Sequence, residues 1–311
     1  MEVPGVPRIG VTNIEAVTRI GPRGAEQLYL ARLDCFAELG PDRDAVDTSR
    51  FEAVVDDVVS KVMLGRGGLK AEQLAQRIAI EVRERQDAIR AEVTIAARYP
   101  EHKPAPASGI ATQEIYTLLG TAVATERGAR RLVGVAAQGM TASPRALGPV
   151  VERLATDGFS DEQIAAILAA VPLATHNQRG LGTLHLGLPE ACDADVDAAE
   201  LLAIVEGSMS SEIYELMKRS DERVVVEKAA RAPRRAEDCV REAIRAVLER
   251  FGGLGDDVFI SARQENLETI QAHSVVAERF GVVGELRRDA AHHTTMREWL
   301  SAAGSNRRRG S

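Results

Sequence analysis

The residue types best suited to chemistry crowd into one hexapeptide, Thr175–Gly180, which reads THNQRG. It combines an imidazole, which can bind a metal or move a proton, with two amide side chains and a guanidinium. A short run follows in which His185 alternates with Leu184 and Leu186, and this alternation predicts a strand. Two interpretations stay open from these residues alone: a catalytic loop that feeds the strand, or a helix-to-strand turn whose polar side chains cap backbone groups.

The six histidines of the chain fall into three groups by their neighbours. His102 lies among prolines and His292–His293 lie near the C-terminus, and both positions favour exposure to solvent. His185 is opposite in phase to the leucines beside it, so it points either into a site or to solvent. His176 and His273 remain, because both have polar and acidic neighbours.

Glu268 is the acidic residue that could work with these imidazoles. It comes shortly before His273, after a predicted strand. An extended or turn-like chain there would let Glu268 and His273 face one cleft. The alternative is a polar loop without a site.

The stretch Glu206–Glu222 is a second candidate region. Glycine and serine interrupt its helical pattern, which leaves backbone donors at a helix start free to meet an anion. Lys218 and Arg219 add positive charge. Glu222, beside them, would act as a general acid or base, or would bind the amidine edge of a purine. The alternative is a solvated, charged helix face.

Composition limits the classes of protein that fit. A chain of 311 residues predicts two domains or one pseudo-duplicated unit. Hydrophobic residues make up 45% and aromatic residues only 4%, so the core must be aliphatic. The net charge of -7 argues against nucleic-acid binding but allows a local anion site.

Cysteine usage and the termini predict a soluble, cytoplasmic protein without a membrane partner. Cys35, Cys192 and Cys239 are widely spaced and odd in number, which disfavours a disulfide framework and a zinc finger. The N-terminus lacks a basic region followed by an apolar stretch, and no apolar run is long enough to span a bilayer.

Strands and paired helices that recur in a fixed order must position these candidates. The first half predicts strands over 12–20 and 27–33 around a turn at 21–24, helices over 51–62 and 70–85, a strand over 89–98, a loop over 100–109, and strands over 115–125 and 131–141. The second half predicts helices near 145–156, 161–170, 196–206, 211–218 and 233–251, and a strand over 258–263. This doubled order indicates an α+β chain of antiparallel sheets with helices on one face. The sequence has neither regular βαβ alternation nor a Gly-rich phosphate loop, which disfavours the dinucleotide and P-loop classes.

Several segments also match a known family in order along the chain. They are Val11–Asn13, Ser49–Phe51, Gly139–Thr141, Ala174–Gly180, Ser208–Ser210, Tyr214–Glu222, Val226–Glu227, Glu237–Cys239 and Glu268–Ile270. Taken together, they resemble the type IB GTP cyclohydrolases, especially the archaeal, Fe(II)-dependent branch. The ordered set is far more specific than any single motif.

The resemblance implies tandem tunnelling-fold (T-fold) units, with antiparallel sheets and helices on one face, in a homo-oligomer of two or four copies. We expect a first T-fold half over residues 1–142, a second over 143–290 and a C-terminal tail over 291–311. The implied reaction hydrolyses the imidazole ring of GTP, releases formate and gives a dihydroneopterin phosphate. A divalent metal would activate the water.

Carried to the matching positions, the resemblance also implies site residues. The implied metal ligands are His176, Glu206, Glu268 and His273. His176 and Glu222 would be catalytic, with Glu222 anchoring the purine or transferring protons. Arg179 and Arg50 would bind the triphosphate, since a guanidinium fork suits phosphate oxygens. Oxygen-rich ligation favours Fe(II) or Mn(II) over zinc.

Three positions depart from the family pattern. The family's Cys-Pro-Cys run is replaced, so that Ser143 stands where a metal-bound thiolate is expected, and a neutral hydroxyl is a much poorer ligand. Gln271 and Asp47 each stand in place of a histidine. Because the surrounding motifs are kept, we interpret the chain as a diverged member with altered metal chemistry.

Three hypotheses follow, in order of preference. The first is a GTP cyclohydrolase-like enzyme whose metal is held by His176 and carboxylates. The second is an enzyme of the same fold that acts on another purine or pterin-type substrate in specialised metabolism. The third is a non-catalytic partner of a true cyclohydrolase, for which the loss of the cysteine is the main support.

Overall fold

The computed structural model of the chain describes residues 8–20, 27–40, 49–64, 70–145, 147–171, 176–189, 196–288 and 293–303. Its strands are β1 (Arg8–Ile20), β2 (Gln27–Glu38), β3 (Arg90–Pro104), β4 (Ala111–Thr125), β5 (Gly128–Ser143), β6 (His176–Leu188), β7 (Ser211–Glu212), β8 (Phe259–Leu267) and β9 (Ser274–Val282). Its helices are α1 (Ser49–Leu64), α2 (Ala71–Arg85), α3 (Leu147–Thr156), α4 (Asp161–Ala170), α5 (Ala198–Ser208), α6 (Arg219–Arg231), α7 (Ala236–Arg250), α8 (Val283–Arg288) and α9 (Met296–Ser301).

All the described strands belong to one antiparallel sheet. Its order is β1-β2-β3-β4-β5-β6-β8-β9, and the short β7 pairs with β5 at Gly139 and Met140. The division expected at residues 142 and 143 falls at the end of β5, within this continuous sheet, and remains a prediction.

The large helices cover one side of the sheet, which we call the helix face; the other side is the open face. α1 and α2 pack on the first strands around Phe51, and α5 and α7 pack on the later strands around Leu184 and Val247. α9 lies on the open face, where Trp299 packs against Phe259. No helix among the described residues is both long and apolar enough to cross a membrane.

The predicted α+β class, with antiparallel strands and helices on one face, is confirmed. The hairpin of β1 and β2 and the helices α1, α2, α3, α4, α5 and α7 occur close to their predicted positions. α1 forms despite the weak helix propensity of valine, because Val54, Val55 and Val58 are fully buried against the sheet. Ser160 caps α4 through the predicted capping box with Gln163.

The loop predicted over 100–109 is wrong in its first half, because β3 continues to Pro104. β2 pairs with β3 only up to Ala97, so beyond that point one edge of β3 has no partner strand among the described residues. Pro100 and Pro104 are therefore tolerated, since they have no ladder hydrogen bond to donate on that edge.

Two further predictions are corrected. The part of the hexapeptide that the structure describes, His176–Gly180, is not a loop before the strand but the first residues of β6, and Thr175 lies outside the described residues. The helix predicted over 211–218 is the short β7 followed by a non-helical segment. Glu114 and Thr112 of β4 accept the backbone N–H groups of Glu215 and Leu216, which replaces the bonds of a helix.

Candidate active site

An imidazole and a carboxylate meet at one end of the helix face. His176, the first residue of β6, lies opposite Ser143, the last residue of β5. Glu268 directly follows β8, and β8 pairs with the other edge of β6. His176 Nε2 lies 3.4 Å from Glu268 Oε2, and their side chains are only 16% and 9% exposed. Sheet register therefore joins residues that are far apart in the chain.

Two polar side chains beside this pair have atoms without a partner. Gln178 Nε2 donates to Glu268 Oε1 over 3.3 Å, which helps to orient the carboxylate. Thr141 lies directly opposite Gln178 in the ladder. Gln178 Oε1 and Thr141 Oγ1 are buried and have no hydrogen-bond partner. Because buried polar atoms are rarely left unpaired, these two oxygens indicate that a ligand binds here.

We call Thr141, Ser143, His176, Gln178 and Glu268 the His176 cluster. It offers one imidazole nitrogen, one carboxylate, one amide oxygen and two hydroxyls, a donor set that suits a hard or intermediate divalent metal. Within the described part of the chain, no three His, Cys, Asp or Glu side chains converge as a metal-binding group. An ion here would therefore depend on the amide or hydroxyl oxygens as well as on His176 and Glu268.

Glu206 makes different contacts. It lies on α5, where its Oε1 accepts from Lys103 Nζ over 2.6 Å and from Tyr116 Oη over 2.7 Å. Burial and the hydrogen bond to Glu206 raise the pKa of Tyr116, so this tyrosine stays protonated. The structure thus gives Glu206 a partly buried ion pair, and its described hydrogen bonds and ion pairs include none to the His176 cluster.

The other sequence-predicted site residues are spread around the cluster. His273 is exposed in the turn between β8 and β9. Arg179 is exposed and alternates with His176 and Gln178 along β6, which places it on the open face. Glu222 is exposed in the first turn of α6. Arg50 lies on α1, and its side chain is outside what the structure describes.

Of the family-pattern departures, Ser143 is adjacent to His176 and buried, and its Oγ accepts from the N–H of Arg145 over 3.4 Å. Gln271 is exposed in the turn before β9. Asp47 lies outside the described residues.

The sequence alone predicts no role for Gln178 or Lys103. If the hexapeptide is interpreted as a strand, residues 176 and 178 lie on the same face, which places Gln178 beside His176. No residue near Lys103 in the sequence indicates its partner on α5.

His185 is not part of the cluster. It lies on the open face of β6, where it packs over Gly134 of β5; a Cβ on that glycine would come within 2.5 Å of its Cδ2. Burial lowers the pKa of His185 to about 4, so the ring is neutral near pH 7. The sequence predicts that His185 points either into a site or to solvent; in the structure the ring instead packs within the sheet, over Gly134.

Comparison with known families gives a match over most of the chain. The family model described as type I GTP cyclohydrolase folE2 matches residues 4–277. GTP cyclohydrolase MptA of Methanosarcina mazei is 36% identical over 295 residues, which cover 91% of this chain and 92% of that protein. GTP cyclohydrolase MptA of Methanococcus aeolicus is 33% identical over 293 residues, with 91% and 94% covered.

Solved structures agree on the fold at much lower sequence identity. Uricase from Arthrobacter globiformis superposes with a TM-score of 0.52 at 9% identity, covering 90% of this chain and 94% of that one. A uricase from Bacillus fastidious gives a TM-score of 0.51 at 10% identity, covering 93% and 98%. Together with the single antiparallel sheet, this likeness confirms the predicted T-fold class.

Proposed function

The chain belongs to the type I GTP cyclohydrolase family, and on that premise we propose that it hydrolyses the imidazole ring of GTP, releases formate and forms a dihydroneopterin phosphate. The sequence-based prediction of a cyclohydrolase is confirmed at the level of the family. The observation that carries the proposal for this chain is the His176–Glu268 pair beside buried, unpartnered oxygens.

We assign the His176 cluster to a divalent metal. His176, Glu268 and the Gln178 amide oxygen would hold the ion, with Ser143 beside them. When bound, such a metal supplies a Lewis acid that lowers the pKa of a water molecule. Oxygen-rich ligation without a thiolate favours Fe(II) or Mn(II) over zinc.

The remaining roles are extensions of the resemblance. Glu222 would anchor the purine or transfer protons, and His176 would take part in catalysis as a ligand. Arg50 would bind the triphosphate, together with Arg179, which would reach it from the open face at the same end of β6 as His176. Glu206 and His273 would complete the metal site. For Glu206 this requires release from Lys103, because the two side chains are paired.

The direct test is turnover. Purified protein is incubated with GTP and either Fe(II) or Mn(II), and formate and a pterin that fluoresces after oxidation are measured. We expect both products from the wild type and neither from His176→Ala. Wild-type protein that releases no formate with any divalent metal would overturn the proposal.

The altered metal site is tested separately by metal analysis of Ser143→Cys and Ser143→Ala. A thiolate beside His176 should raise metal occupancy and shift preference toward zinc, because zinc favours sulfur and nitrogen ligands. Ser143→Ala should leave occupancy near the wild-type level, since a neutral hydroxyl contributes little. Equal occupancy in all three proteins would show that Ser143 is not at the metal.

A second candidate function is favoured by Ser143 itself, which replaces the expected thiolate at the point where His176 lies. In this alternative the protein acts on another purine or pterin-type substrate. It predicts tight binding of GTP or a pterin, measured by calorimetry, without formate release from GTP.

A further inference from the structure

Residues 214–222, which carry Lys218 and Glu222, are bound to an extension of two strands. Beyond Ala97, β3 and β4 form a two-stranded extension with its turn at 105–110, which we call the β3–β4 arm (residues 99–116). Lys103 of the arm lies 4.7 Å from the ring centre of Tyr214. Glu114 Oε1 accepts the N–H of Glu215 over 2.8 Å. The arm therefore holds the start of this segment.

Asp221 binds the other end of this segment to the turn of the arm. Its Oδ1 accepts the backbone N–H groups of Ala107 and Ser108 over 2.8 and 2.7 Å. Its Oδ2 accepts from Ser108 Oγ over 2.7 Å and from the N–H of Lys218 over 2.8 Å. The side chain is fully buried. Burial alone would raise the pKa of Asp221, but the hydrogen bonds from Ser108, Ala107 and Lys218 lower it well below its usual range.

A comparison with α7 shows what is particular to Asp221. Asp238 occupies the same third position of α7, and it accepts the N–H of Arg235 over 3.1 Å, as Asp221 accepts that of Lys218. Both carboxylates thus complete the same kind of cap at a helix start. Asp238 has its described partners within its own helix start, at Arg235 and Arg241. Asp221 also binds a turn more than a hundred residues earlier in the chain.

We propose that Asp221 is a positioning residue for the purine-binding end of the site: it fixes Glu222 and Lys218 against the turn of the β3–β4 arm. The inference rests on the proposed function, in which Glu222 meets the purine. Asp221 is buried beneath the helix start while the next residue, Glu222, is exposed. A substrate would therefore touch Glu222 and not Asp221. Because the carboxylate joins two elements, its loss frees the helix start to move relative to the arm.

The kinetic test compares Asp221→Asn with Asp238→Asn, its matched control at a helix cap. Asparagine keeps one acceptor but turns an N–H donor toward the donors of the turn. We expect Asp221→Asn to lower kcat/KM for formate release from GTP by about tenfold or more, since small displacements of a positioned group are costly. Asp238→Asn should stay within about twofold of wild type although it removes a comparable cap. All assays are run well below the melting temperature of each variant.

The same substitution is then made in Glu222→Gln. If Asp221 acts through Glu222, Asp221→Asn should have less than about a twofold further effect there, because coupled residues are not additive. A purely structural residue would lower kcat/KM equally in both backgrounds. That equality, or equal effects of Asp221→Asn and Asp238→Asn in the wild-type background, would overturn the inference.

Backbone amide exchange separates failure of this inference from failure of the proposed function. Wild-type protein that releases no formate counts against the function alone. In that case we still expect Asp221→Asn to speed exchange at Ala107, Ser108 and Glu222 by about tenfold, and Asp238→Asn to leave them unchanged. Unchanged protection in Asp221→Asn would show that the carboxylate does not position this segment.

Discussion

Thr18 and Thr141 share an unusual property among the described residues. Both side chains are fully buried, and neither hydroxyl has a hydrogen-bond partner. Thr18 lies on β1, whereas Thr141 lies in the His176 cluster. A buried, unsatisfied hydroxyl costs roughly 1–3 kcal/mol, so a requirement for a ligand would explain why one is kept at Thr141.

Replacement by valine distinguishes these two hydroxyls. We expect Thr18→Val and Thr141→Val each to raise the free energy of unfolding by about 1 kcal/mol in metal-free protein, measured by urea denaturation. With Mn(II) and GTP added, Thr18→Val should keep its gain and Thr141→Val should lose it, because only Thr141 lies where a ligand would bond. If the two variants change the free energy of unfolding equally under both conditions, Thr141 does not bond to the ligand.

His185 makes a prediction about pH. Its pKa is lowered by burial to about 4 in the folded protein, against 6.5 when exposed. Between these values the unfolded chain binds more protons than the folded one, so stability rises with pH over this range. As the pH falls from 6.5 toward 4, the wild type should lose up to about 3 kcal/mol through this residue. Urea unfolding of His185→Gln should show a correspondingly shallower loss, and an equal slope in the two proteins would contradict the assignment.

At the scale of elements, a partly buried ion pair joins α5 to β3 and β4. Lys103 Nζ contacts Glu206 Oε1 and Tyr116 Oη, and the charged side chains are 17% and 16% exposed. Lys103→Met would leave the Glu206 carboxylate buried without a cation, and we expect a loss of about 3 kcal/mol in unfolding free energy. Lys103→Met combined with Glu206→Leu should recover most of that loss, because neither charge then remains buried.

Metal analysis of the same variants tests the role of Glu206. If the double variant keeps wild-type metal occupancy, Glu206 stabilises the contact between α5 and β3 and is not a metal ligand. If occupancy falls in the double variant but not in Lys103→Met, the ligand role implied by the resemblance is supported. Tyr116→Phe, which keeps both charges, serves as the control and should change stability much less than Lys103→Met.

The elements also show what the sequence could predict. Helices with a clear apolar period, such as α2 and α7, were placed to within a few residues, because burial of one face decides their formation. The sequence does not predict β9, because its exposed Val275 and Val276 are consecutive and do not alternate. It wrongly predicts a helix over 211–218, because Glu215 and Leu216 have partners on β4, far away in sequence. The site residues likewise divide into those with a local sequence signal and those without one. His176 and Glu268 came from ordered motifs, but the pairing of Lys103 with Glu206 depends on sheet register and had no local signal.

At the scale of the whole molecule, both outer strands of the sheet have an unpaired edge. Within the described residues, β1 pairs only with β2 and β9 only with β8. β1 carries a bulge at Asn13, which blunts one end, yet Val17 farther along it is exposed. Val275 and Val276 are exposed on β9. Unpaired edges with exposed valines favour pairing with another chain, and a homo-oligomer would cover them.

We therefore predict that the protein assembles through these edges into a dimer or tetramer. Val276→Lys on β9 should shift the assembly toward monomer, because a charged side chain on an edge strand opposes strand pairing. Val226→Lys, an exposed valine on α6, is the matched control and should leave the assembly unchanged. Size-exclusion chromatography with light scattering over a dilution series measures the mass of each protein. A wild type that is monomeric at every concentration would contradict edge assembly, and so would equal masses for Val276→Lys and the wild type.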